Sequence, residues 1–106
     1  EARARSYLHS NCSMCHREGS ATGLAELDLR FDTPLDRTGL CAPPKAGSLG
    51  IADARVVAPK DEARSVLLRR IQLLDESRMP KLASHVIDDA AVATIKEWIG
   101  GMTSCP

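Results

Sequence analysis

An all-α domain is the fold class this sequence predicts. Apolar residues recur at helical spacing near both ends, the middle is broken by Gly and Pro, and the extended pieces are too short for a sheet core. Residues 1–15 hold good helix formers, with Ala4, Leu8, Cys12 and Cys15 at helical intervals, so a first helix should end at the cysteine cluster. From Arg17 to about Pro59 the chain carries Gly19, Gly23, Pro34, Gly39, Pro43-Pro44, Gly47 and Gly50 and reads as loop. Two short extended pieces are expected there, at Leu27-Leu29-Phe31 and between Ile51 and Val57. Leu67, Leu68, Ile71 and Leu74 form the stripe of a middle helix, with Arg64, Arg69 and Arg70 on its wet side. The last helix has Asp88 as N-cap, Asp89 in its first turn and an Ile87–Val92 staple. Val92, Ile95, Trp98 and Ile99 make its apolar face, and Gly100-Gly101 should end it.

With 106 residues the chain is expected to be one domain, 1–106. Hydrophobic residues make up 43% of it, yet Tyr7, Phe31 and Trp98 are the only aromatics and much of the rest is Ala, so large core-filling side chains are scarce. Something other than side chains should fill the centre. Fourteen Lys and Arg balance fourteen Asp and Glu, which argues against a nucleic-acid partner dependent on phosphate attraction. No apolar run approaches the ~18 residues of a membrane span, and Arg3 and Arg5 stand where a signal peptide would be apolar. The abrupt start at Glu1, inside a helical pattern, reads as a module cut from a longer exported chain.

Cys12-Ser13-Met14-Cys15-His16 is the segment that carries chemistry, because C-x-x-C-H is the attachment signature of c-type haem. Two thiols three residues apart on one helical face can each add to a haem vinyl group, and the next residue presents an imidazole to the iron. A thioredoxin-like redox pair would want a βαβ context, and a zinc site a second paired cluster. The sequence has neither, since Cys41 and Cys105 stand alone. One covalently attached haem c would also fill the centre that the side chains leave short.

A second axial ligand must come from elsewhere, and Met79, Met102, Met14, His85 and His9 are the candidates. Met79 is preferred: Pro80 restrains the backbone that would aim its sulfur, and Arg78-Met79-Pro80-Lys81 is polar loop rather than core stripe. His85 is the alternative, while His9 and His85 otherwise read as surface or structural histidines.

The N-terminal helix ending in Cys12-Ser13-Met14-Cys15-His16, paired with Met79-Pro80 ahead of a Trp-containing final helix, resembles the class I cytochromes c over nearly the whole chain. Tyr7-Leu8-His9-Ser10-Asn11, Leu27-Asp28-Leu29-Arg30-Phe31 and Ser65-Val66-Leu67-Leu68-Arg69-Arg70 are similar to haem domains appended to larger secreted bacterial proteins, dehydrogenases and polysaccharide-associated ones among them. Lys81 departs from that pattern, where a second Pro often follows the Met. The resemblance implies a class I fold in which the first and last helices cross beside the haem, bringing Tyr7 and Leu8 near Ile95 and Trp98. It also implies that Thr33-Pro34-Leu35 offers a backbone carbonyl to the second nitrogen of the His16 ring.

Cys41 and Cys105 remain as an even pair in a chain whose haem chemistry implies an oxidising, periplasmic or extracellular compartment, and a disulfide between them is expected. Closing that loop of roughly 65 residues would stabilise by about 4 kcal/mol in the chain-entropy picture. Arg55, Arg69, Arg70, Arg78 and Lys81 include candidates for a haem-propionate partner or a basic docking rim. The function expected is single-electron transfer to or from a redox partner protein or a fused catalytic domain, with no catalytic residue. A ligand-binding, sensor or peroxidase-like haem domain with a displaceable Met79 is the alternative.

Overall fold

A computed structural model of the chain describes residues 1–17, 27–44, 47–73, 79 and 87–105. Its regular structure is helical: α1 (Ala2–Cys12), α2 (Val66–Gln72) and α3 (Asp89–Gly101), with single 3-10 turns at Leu35–Arg37 and Glu62–Arg64. Among the described residues there is no strand, only an isolated bridge between Arg55 and Ser65. The chain is therefore all-α at the level of its elements. Two compact units, Glu1–Leu40 and Cys41–Cys105, divide the described residues.

The first unit is built on α1. Ala4 and Arg5 are buried one helical turn before Leu8, on the same face, and Leu29 and Leu40 complete its apolar core. The helix ends at Cys12, the first residue of the cysteine cluster, and two side chains bond carbonyls of its second half. Asn11 Nδ2 donates to Tyr7 O at 3.0 Å and Ser13 Oγ to His9 O at 2.6 Å. Beyond the helix, residues 28–33 return along it. Leu29 N–H donates to His16 O at 2.9 Å, Phe31 N–H donates to His9 Nδ1 at 3.0 Å, and the buried Arg5 guanidinium donates to the carbonyls of Arg30, Phe31 and Thr33. His9 is thus a structural acceptor. The expected extended piece at Leu27–Phe31 does not form a strand: its N–H groups go to His16, His9 and Thr38, with no neighbouring strand to ladder against.

In the second unit α2, α3 and the turn at Glu62–Arg64 pack on one another. Val57, Val66, Leu68, Ile71, Ile95, Trp98 and Ile99 are among the buried side chains. Of the stripe predicted for the middle helix, Leu67, Leu68 and Ile71 are buried on α2, and Leu74 lies outside the described residues. No side chain caps α2. Instead Arg55 and Val56 supply carbonyls to the N–H groups of Val66 and Leu67, both at 2.9 Å, satisfying two of the orphan donors of that helix end. Asp88 caps α3 as expected, accepting from Ala91 N–H at 3.0 Å. The helix does not stop at the glycine pair. It runs through Gly100 and Gly101 to a C-cap at Met102, whose N–H bonds to Ile99 O. Cys41 and Cys105 stand at disulfide bonding distance, their Cα atoms 6.0 Å apart, inside the usual range for an unstretched bridge.

Candidate functional site

The attachment segment occupies the last residue of α1 and the turn after it. Both Cys15 N–H, at 3.2 Å, and His16 N–H, at 2.9 Å, donate to Cys12 O, so the backbone continues for one more helix-like turn past the helix proper. Residues 12, 15 and 16 are thereby fixed in a single turn, with the two thiol-bearing positions three residues apart.

Neither Cys12 nor Cys15 is in a disulfide; Cys12 is half-buried and Cys15 exposed. Burial, with a smaller contribution from the neighbouring Cys15, pushes the Cys12 thiol up to about 11, so it is a neutral S–H at physiological pH. Burial likewise lowers the His16 imidazole below its ordinary value and keeps it neutral, the form in which a histidine ligates metal. His16 Nδ1 is buried and has no hydrogen-bond partner. The carbonyl expected for it from Thr33-Pro34-Leu35 is not delivered. Thr33 O accepts from Arg5 at 2.5 Å, Pro34 O from Arg37 N–H at 2.8 Å, and Leu35 O from Thr38 Oγ1 at 2.7 Å.

Two features of this unit escaped the sequence reading. Arg5 is 5% exposed and spans three carbonyls, while the carboxylate of Glu1, at 3.9 Å, is a weak and exposed partner. Asp28 is buried, accepts from Arg30 Nη2 at 2.6 Å and Arg30 Nε at 3.0 Å, and is held well below the usual carboxylate range chiefly by those bonds. Asp28 N–H in turn donates to Thr38 O, itself followed by Gly39 at φ +79°, a backbone state that favours glycine.

Met79 belongs to the second unit. It is half-buried, and its N–H donates at 3.2 Å to Arg70 O near the C-terminal end of α2. The other ligand candidates differ in setting: Met102 is buried as the C-cap of α3, Met14 is 62% exposed, and His9 is engaged by Phe31. His85, Pro80, Lys81 and Arg78 lie outside the described residues. Arg55 reaches the carbonyl of Cys41 at 3.4 Å and Arg69 is exposed. Among the described residues no group of three or more His, Cys, Asp or Glu gathers as a structural zinc site would require, and no helix is long and apolar enough to cross a membrane. No protein family, curated protein or solved structure matches the chain.

Proposed function

We propose that this chain is a c-type haem domain. The observation that carries the reading is the Cys12-Ser13-Met14-Cys15-His16 turn, closed onto Cys12 O by the N–H groups of Cys15 and His16. Its chemistry fits the group. Two unbridged cysteines three residues apart can each add S–H across a vinyl double bond, and the neutral His16 ring keeps a buried nitrogen uncommitted to any structural hydrogen bond. The apolar core of the first unit draws on Ala4, Leu8, Leu29 and Leu40, which suits a domain completed by a large apolar cofactor.

Within that class the domain is an electron carrier of the class I cytochrome c type, with His16 as proximal and Met79 as distal ligand. Bound haem supplies an iron that gains and loses one electron. Cys12 and Cys15 would hold it covalently, and His16 would orient it. Met79 would supply a soft sulfur ligand, which favours the ferrous state and would leave substrate no place on the metal. Met79 is tethered to Arg70 O by its own N–H, a restraint that supports its selection. The Cys41–Cys105 pair supports an oxidising compartment, periplasmic or extracellular. A redox partner protein or a fused catalytic domain would supply or accept the electron.

Expression with a cytochrome c maturation system tests the reading. Haem should stay with the protein through acid–acetone extraction, the ferric form should show the near-infrared charge-transfer band of Met ligation, and the ferrous spectrum should ignore carbon monoxide. Extractable haem sinks the c-type assignment. A rapid carbon monoxide shift replaces the electron carrier with a ligand-binding or sensor domain.

A further inference from the structure

The second unit contains a continuous path from its disulfide to Met79. Cys41 is bonded to Cys105, three residues beyond the α3 C-cap at Met102. The residue after Cys41, Ala42, accepts Val56 N–H through its carbonyl at 2.9 Å. Val56 O accepts Leu67 N–H in the first turn of α2 at 2.9 Å, and Arg70 O accepts Met79 N–H at 3.2 Å. A second contact, from Arg55 Nη1 to Cys41 O at 3.4 Å, ties the same loop to the bridge. Apart from that Arg55 side-chain contact, the links between Cys41 and α2 given above are backbone bonds from irregular segments, and such segments open at low free-energy cost unless they are cross-linked. Cys105 is exposed and Cys41 half-buried, so the bridge is open to attack from solvent.

We infer that the Cys41–Cys105 disulfide is a positioning strap for Met79, and that opening it vacates the sixth position of the iron. This rests on the assignment of Met79 as distal ligand. With the bridge closed, Ala42 holds Val56, Val56 holds the start of α2, and α2 presents Arg70 O to the Met79 backbone. A dithiol, protein or small molecule, opens the bridge by exchange. Its two sulfurs give up two electrons and two protons and leave as their own disulfide, while Cys41 and Cys105 become thiols. The Ala42–Val56 bond then has no covalent backing, the start of α2 loosens, and the sulfur of Met79 spends more time off the iron. The domain passes from an electron carrier to one that takes an external ligand.

The test uses the haem-loaded protein in two forms: the double variant Cys41→Ser with Cys105→Ser, and wild type reduced with dithiothreitol and capped with iodoacetamide, which leaves the thioether-bonded Cys12 and Cys15 untouched. Both should lose intensity in the near-infrared band and bind carbon monoxide about tenfold faster in the ferrous state, the change that a loss of about 1.4 kcal/mol from the closed form produces. Amide exchange should quicken at Val56, Leu67 and Met79 while Leu8 and Ile95 keep their protection. An unchanged band and unchanged carbon monoxide rate in either folded form overturns the inference. So does loss of protection throughout α1 and α3 in both forms, which would make the bridge a support of the whole fold. Absence of the band in untreated wild type would instead remove the ligand assignment on which the inference stands.

Discussion

The carbonyl of His16 accepts the N–H of Leu29 at 2.9 Å, which fixes the backbone of the proposed proximal ligand to the segment that returns along α1. That segment is stitched to the helix again by Phe31 N–H on His9 Nδ1 and by the Arg5 guanidinium on three carbonyls. The position of His16 thus depends on a strip of backbone held at three levels. A buried cation, rather than apolar packing, secures the far end of that strip, and the consequences are measurable.

Arg5→Met should destabilise the protein by about 2–4 kcal/mol, because three carbonyls lose a buried charged donor together. Arg5→Lys should recover about half of that loss, since a single ammonium lacks the planar fork. Urea unfolding followed by helix ellipticity reads both; a change within 0.5 kcal/mol, the usual range for a surface substitution, would mean the guanidinium is not buried in solution.

Asp28 titrates below its ordinary value of 3.8 because Arg30 hydrogen-bonds its carboxylate. A carboxylate depressed on folding contributes stability above its unfolded value and loses it as pH falls through the folded one, so the contribution should fade below about pH 4. Asp28→Asn should flatten that part of the stability curve and cost about 1–2 kcal/mol at pH 7, a modest figure because Arg30 is partly exposed. Equal acid sensitivity in the two proteins would exclude Asp28 as its source.

Cys12→Ala combined with Cys15→Ala should give a chain that neither retains haem through acid–acetone nor melts cooperatively, since the proposed cofactor completes the core. A sharp haem-free melt would show that side chains alone suffice. In the haem-free wild type the raised Cys12 thiol should alkylate more slowly than exposed Cys15 at pH 8, which mass spectrometry of the labelled peptides resolves.

Met79→Ala should abolish the near-infrared band, lower the reduction potential and admit carbon monoxide. Met79→His should keep a six-coordinate low-spin iron at a lower potential, separating ligand identity from an empty position. If His85→Ala opens the iron and Met79→Ala does not, the distal ligand is His85.

Unfolded, unreduced protein should expose no free thiol at Cys41 or Cys105 to a maleimide label. Two labelled positions there would contradict the pairing and with it the strap.

The sequence by itself determined what is decided within a few residues. Cys12, Cys15 and His16 share one turn because their spacing is helical, and the Asp88 cap of α3 and its Ile95-Trp98-Ile99 face follow from side chains at fixed offsets along one helix. The few, short extended pieces argued against a sheet-based core, and among the described residues an isolated Arg55–Ser65 bridge is all that forms. Only the tertiary structure decided the role of Arg5, which in the sequence stood out only as a charge where a signal peptide would be apolar. Its partners lie 25 to 28 residues away, and no local pattern reports where a returning loop will leave its carbonyls. The same holds for α2, whose start is capped by the carbonyls of Arg55 and Val56 instead of a side chain, and for Thr33-Pro34-Leu35, whose oxygens accept from Arg5, Arg37 and Thr38. Backbone groups carry no sequence identity, so hydrogen bonds between them are settled only when the chain has folded back on itself.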